Sequence, residues 1–192
     1  MEPLKCVLVG DTNVGKTYLI KTYKNKQYKN EKNEATVYEK HQIQIKQKKK
    51  KIDVDVFDTA GSEDYDRLRP QSYKDADVFL LCFSLINRNT LKHIKTKWVK
   101  EVRQTSPDVP IIVVGLKMDL RDNFDKADID RNEDGVEPIK KEKAQKLIQK
   151  IEAVQYLECS ARNMQRLDEV FDSMLYYAQK HHNHGQGCCN IA

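Results

Sequence analysis

The octet Gly10-Asp11-Thr12-Asn13-Val14-Gly15-Lys16-Thr17 fits G-x-x-x-x-G-K-[ST], and its surroundings leave few folds open. The apolar run Leu4–Val9 before it reads as a buried strand, and residues 17–24 after it as a helix. A strand–loop–helix of this kind wraps backbone N–H groups around phosphates. Lys16 adds a positive charge, and the Thr17 hydroxyl is a ligand for Mg²⁺. The helix N-terminus contributes further favourable potential for anions. A nucleotide is therefore the expected ligand, with Asp11, Thr12, Asn13, Val14, Gly15, Lys16, Thr17 and Tyr18 as candidate contacts.

The same alternation continues downstream. Apolar runs at 77–85, 110–116 and 154–159 read as buried strands, and residues 88–104, 141–151 and 166–180 carry helical periodicity. That rhythm predicts an α/β domain with a mostly parallel sheet and helices on both faces, which 192 residues suffice to bury as one unit. Two segments depart from it. Ile43, Ile45, Ile52, Val54 and Val56 alternate at period 2 around a lysine-rich turn, predicting a hairpin at the sheet edge. Residues 122–137 are polar and acidic and predict an inserted surface segment. From Lys180 to Ala192 the chain reads as a flexible tail. No apolar run is long enough to span a membrane, and no leader precedes Leu4, so neither a spanning helix nor secretion is expected. A net charge of +5, with acids and bases interspersed, argues against nucleic acid as a partner. Cys6, Cys82 and Cys159 lie in apolar runs and read as core thiols.

Three more short motifs fall at predicted strand ends, where open α/β sheets bind ligands. Asp58-Thr59-Ala60-Gly61 places a carboxylate to hold Mg²⁺ through water, and Gly61 offers an N–H to a γ-phosphate. Leu116-Lys117-Met118-Asp119 places a carboxylate to accept from the N1–H and exocyclic amine of guanine, where adenine presents an acceptor at the first position. The Lys117 stem packs along the ring, with Leu120 beside it. In Glu158-Cys159-Ser160-Ala161 the Ala161 N–H is aimed at the guanine carbonyl, flanked by Ser160 and Arg162.

With these residues the chain resembles the Ras-like small GTPases, and within them the Rho/Rac family, over nearly its whole length. The segments SEDYDRLRP (62–70), SYKDADVFLLCFS (72–84), VGLKMDLRD (114–122) and YLECSA (156–161) carry the likeness. The resemblance implies a P-loop G domain over residues 1–179. Its sheet would have six mostly parallel strands between helices, with a Rho-type insert at about 122–137. It implies GTP or GDP with Mg²⁺ as ligands, and metal contacts from Thr17 and Thr36 with Asp58 acting through water. Tyr28 would pack edgewise against guanine. Residues 32–41 and 61–73 would be switches, ordered by the γ-phosphate and read by effectors on actin or membrane traffic. An exchange factor and a dissociation inhibitor are further partners that the resemblance implies, for a monomeric G domain.

Three residues depart from the family pattern: Thr12 stands where glycine is usual, Ser62 where glutamine is, and Leu116 where asparagine or threonine is. Hydrolysis in such proteins needs an attacking water held by that glutamine and an arginine finger that neutralises transition-state charge. Ser62 is too short to reach such a water directly, and a β-carbon at Thr12 fills space used by both groups. In the related Ras, intrinsic turnover is about 4 × 10⁻⁴ s⁻¹ and a partner raises it about 10⁵-fold. The expectation is a slow, mostly GTP-bound protein that keeps its nucleotide grip. The alternative is an ordinary timer in which Ser62 or a partner positions the water. A P-loop kinase is disfavoured, since the last two motifs build a base pocket. Leu116 either weakens nucleotide binding by about 1–3 kcal/mol, through a lost tether, or simply packs on the core.

Cys189-Asn190-Ile191-Ala192 fits a C-a-a-X prenylation signal, with terminal alanine favouring farnesyl and Asn190 a poor match. One lipid anchors marginally, so Cys188 is the candidate for palmitoylation, placing the protein on the cytoplasmic face of a membrane. Lys46 and residues 48–51 read as a solvated, self-repelling turn or as a contact for anionic lipid head groups. His181, His182 and His184 read as part of a disordered spacer rather than a metal or pH site, and Trp98 as a packing residue.

Overall fold

A computed structural model of the chain describes residues 3–29, 36–48, 50–124 and 138–187, the last four by backbone only. Its centre is β1 (Leu4–Val9), whose side chains from Cys6 to Val9 have no solvent exposure. A strand that is apolar on both faces needs cover on both, and neighbours on both edges. Parallel partners supply the edges: β3 (Lys50–Thr59) on one side and β4 (Val78–Ser84) on the other. β5 (Ile111–Leu116) and β6 (Gln155–Glu158) extend the sheet beyond β4, and β2 (Tyr38–Gln47) closes the far edge as the antiparallel arm of a hairpin. The order β2-β3-β1-β4-β5-β6 is the six-stranded, mostly parallel sheet that the sequence predicts.

Two apolar clusters sandwich it. On one face α1 (Lys16–Asn25) and α6 (Leu167–Gly187) cover the sheet, with Leu19, Ile20, Phe171 and Met174 against Cys6, Leu8 and Val56. On the other, α2 (Arg88–His93) leads through a π-helical stretch (Ile94–Trp98) into α3 (Val99–Thr105). Leu91, Ile94, Trp98 and Val102 of this run cover Val7, Val9 and Leu81, joined by Ala144 and Ile148 of α5 (Lys141–Ile148). A π-stretch closes its hydrogen bonds one residue later than an α-helix and so re-aims its side chains, and here it falls where His93 and Trp98 meet the loop after β1. Asn87 caps α2, its side chain accepting from the N–H groups of Asn89 and Thr90.

One sequence expectation needs correcting. The chain does not become a flexible tail at Lys180, and His181 and His182 are not part of a disordered spacer; α6 runs to Gly187. Its last turns have partners that a one-dimensional reading of a polar segment does not see. The side-chain amide of Gln47 donates to Gln179 at 3.1 Å, and His182 Nδ1 lies 2.9 Å from Asp77 Oδ1. The 122–137 insert lies mostly outside the described residues, as do residues 32–35 of the first switch and Cys188 and Cys189.

Phe171 joins α6 to α1 by stacking on Tyr23, with ring centroids 3.7 Å apart. Truncation leaves a cavity under both helices, so Phe171→Ala is expected to cost about 3–5 kcal/mol, read as a lowered urea midpoint with an unchanged m-value.

Candidate nucleotide-binding site

Four loops meet at the C-terminal ends of the parallel strands. The first is built by backbone constraint. Gly10 has φ +152°, and a β-carbon there would lie 2.2 Å from the carbonyl oxygen of Cys82 on β4, so only glycine lets the chain turn beside that strand. Asn13 (φ +61°) and Gly15 (φ +112°) complete the curl into α1. Lys16 folds back to donate from Nζ to the carbonyls of Gly10 and Asp11 at 2.8 and 2.9 Å. Burial lowers its pKa, against the pull of Asp58. Thr12 is exposed at the loop crest. The Asp11 side chain serves other partners. Its carboxylate turns away and accepts from Trp98 Nε1 at 2.6 Å, with His93 Nδ1 at 2.7 Å, which leaves only its backbone facing the loop.

Three oxygens converge beside Lys16. Thr17 Oγ1 donates to Asp58 Oδ2 at 2.5 Å and lies 3.0 Å from Thr36 Oγ1. Asp58 has no solvent exposure, and its second oxygen is buried without a hydrogen-bond partner. Burial raises the Asp58 pKa, opposed by the Thr17 hydroxyl and by Lys16. A hard divalent cation such as Mg²⁺ answers both the orphaned oxygen and the cost of the buried charge, so the donor set fits one. The second loop begins immediately after. Gly61 presses on the first: a β-carbon there would lie 2.2 Å from the Thr12 backbone nitrogen.

Lys117 sits in the left-handed region (φ +63°) at the start of α4 (Met118–Asp122), and burial lowers its pKa while Asp119 opposes the change. Asp119 Oδ1 accepts from Ser160 Oγ at 2.6 Å, so the fourth loop aims the carboxylate of the third. The two loops are also stitched by Met118 N–H to the Cys159 carbonyl at 3.1 Å. Beneath them Arg121 pairs with Glu158 at 2.9 Å, and Tyr156 donates to the same carboxylate at 2.6 Å. Leu116 is 2% exposed within the core cluster that includes Val14, and the space above Gly15 opens onto its Cδ1 at 3.7 Å. Leu116 thus packs in the core beneath the first loop. Tyr28 lies against Tyr18, ring centroids 5.3 Å apart. Leu120 is partly exposed, Ala161 half-buried, and Arg162 exposed at the rim.

Residues that the sequence reading passed over hold the second loop. Arg69, 4% exposed, donates from Nε to the Ala60 carbonyl at 2.7 Å and from Nη2 to the Ser62 carbonyl at 2.6 Å. Its Nη1 pairs with Asp66 and with Glu101 of α3, both at 2.9 Å, and its guanidinium lies 4.7 Å from the Trp98 ring centroid. Tyr73 donates to Glu101 at 2.5 Å, and burial pushes the Tyr73 pKa up. Ser62 Oγ donates to the Asp64 carboxylate at 2.8 Å and caps the 3₁₀ turn Glu63–Tyr65 by accepting from the Asp64 N–H at 3.4 Å. No local pattern marks Arg69 as buried, since Arg67 two residues earlier is exposed. Trp98 packs as expected, but its N–H also serves the phosphate loop.

Ser160→Ala removes the bond that orients Asp119 while leaving the strand end in place. It is expected to weaken GDP binding about tenfold, near 1.4 kcal/mol for a hydrogen bond to a charged group, by displacement of a fluorescent GDP analogue with unchanged thermal unfolding of the nucleotide-free protein.

The family model described as the Ras family matches residues 5–180. That span takes in all four loops and every strand but one residue of β1, and it accounts for their assembly at one edge of the sheet: the chain belongs to the Ras family of small GTPases.

Proposed function

We propose that this protein is a Rho/Rac-like member of the family that holds GTP for long periods and acts as a loaded signal rather than as a quick timer. The carrying observation is the state of Ser62. Its hydroxyl is engaged by Asp64 at 2.8 Å and its carbonyl is clamped by Arg69 at 2.6 Å. A short side chain so held is poorly placed to align a water, and the Thr12 β-carbon crowds the approach of an arginine finger. The groups that grip the nucleotide are meanwhile assembled. Thr17, Thr36 and Asp58 would hold a metal that would supply charge neutralisation at the phosphates, and Lys16 adds a positive charge of its own.

Thr36 beside Thr17, and the Ala60 N–H bonded to the Val37 carbonyl at 3.1 Å, link the two switch segments in the arrangement a γ-phosphate favours. In that arrangement Val37, Tyr38 and Leu68 are each more than half exposed and flank a groove floored by Thr59 and Ser72. We assign this surface to effectors of the actin cytoskeleton or membrane traffic. The tail cysteines Cys188 and Cys189 are proposed to carry palmitoyl and prenyl groups that hold the protein on a cytoplasmic membrane face.

Single-turnover hydrolysis tests the slow-switch reading. The rate is expected to fall at least tenfold below the Ras value of about 4 × 10⁻⁴ s⁻¹, with no acceleration by a Rho-type activating protein. Thr12→Gly with Ser62→Gln should restore both; strong stimulation of the unaltered chain by the activating protein defeats the proposal. Intact mass of the protein from a eukaryotic host checks the tail: a prenylated, trimmed C-terminus is expected, and an unmodified full-length one counts against lipidation.

A further inference from the structure

We propose that the tip of the β2–β3 hairpin is a docking surface for the anionic leaflet of a membrane, working independently of any lipid on the tail. Register places the tip. Leu4, the first residue of β1, pairs with Val54, so residues 50–53 of β3 run on beyond the sheet's centre. Four residues of strand carry the turn about 13 Å past β1. It projects from the N-terminal ends of the parallel strands, the edge opposite the four nucleotide loops.

The tip concentrates positive charge. Lys46, Lys48, Lys50 and Lys51 are all exposed, and among the described residues none of them is ion-paired. Lys46 stands directly across the ladder from Lys51, an opposition of like charges that destabilises a hairpin. The nearest carboxylate on the hairpin, Asp53, is taken by the Gln44 side-chain amide at 2.8 Å. Lysine on an edge strand also discourages strand addition. That purpose asks for scattered charge along β2; it does not ask for opposed lysines on both strands of the turn.

The C-terminal helix converges on the same edge. Gln47 bonds Gln179, and His182 meets Asp77 just before β4, so the exposed Lys180 joins the basic rim. A bilayer against this rim meets exposed lysines, while Val37, Tyr38 and Leu68 lie toward the opposite edge and stay accessible. Charge, protrusion and orientation together select a flat anionic surface, where each lysine near the head groups adds to attraction within a Debye length.

Full-length bacterial protein, which carries no lipid, is co-sedimented with vesicles of phosphatidylcholine containing about one third phosphatidylserine. Binding is expected at low salt, lost at high salt, and absent on phosphatidylcholine alone. Free inorganic phosphate at matched ionic strength should not compete. Each of Lys46→Gln, Lys48→Gln, Lys50→Gln and Lys51→Gln should lower partitioning about fivefold, with nucleotide binding and elution as a monomer unchanged. Equal partitioning of the quadruple variant, binding to uncharged vesicles, or binding only to an acidic protein overturns the proposal. Should the quadruple variant aggregate, the single Lys46→Gln and Lys51→Gln proteins decide it by the presence or absence of that fivefold loss.

Discussion

The Asp11 carboxylate is the hinge pin of this structure. It lies immediately after the glycine that lets β1 turn beside β4, and it accepts from Trp98 while facing His93. Through Trp98 it is linked to Arg69, whose guanidinium packs by the indole ring and holds the carbonyls of Ala60 and Ser62. Phosphate loop, helix and second switch are thereby tied in one chain of contacts. A carboxylate accepting a buried indole N–H is a charge-assisted bond. Losing either partner leaves a desolvated group behind. Trp98 makes that bond from the last residue of a π-helical stretch.

The site's charged side chains are buried, and its chemistry follows from that. Lys16, Asp58 and Lys117 are all shifted by burial toward their neutral forms. Each is a charge that the fold holds away from water and that phosphate, metal or base compensates. Ligand and fold are therefore strongly coupled, because compensating a buried charge adds to stability as well as to affinity. The buried, unpartnered oxygen of Asp58 is the plainest sign of that dependence.

The sheet also separates two kinds of work. Loops at the C-terminal strand ends handle the nucleotide, and the switch surfaces lie beside them. The N-terminal ends gather the lysine hairpin and the end of α6. Parallel strands enforce this division, because every crossover returns the chain to the same starting edge.

The strand–loop–helix pattern and the alternation of apolar runs were enough to determine the α/β class, the mostly parallel sheet and its edge hairpin, but not the order in which the strands lie. Periodicity and spacing are local properties, written in adjacent residues. Tertiary structure alone decided that Asp11 accepts from Trp98, that Leu116 is buried in the cluster with Val14, and that Arg69 is buried. The last turns of α6 belong with these, since the partners of Gln179 and His182, Gln47 and Asp77, lie far away in sequence. A polar side chain's partner is set by which elements the sheet brings together, and no window of neighbouring residues contains that information.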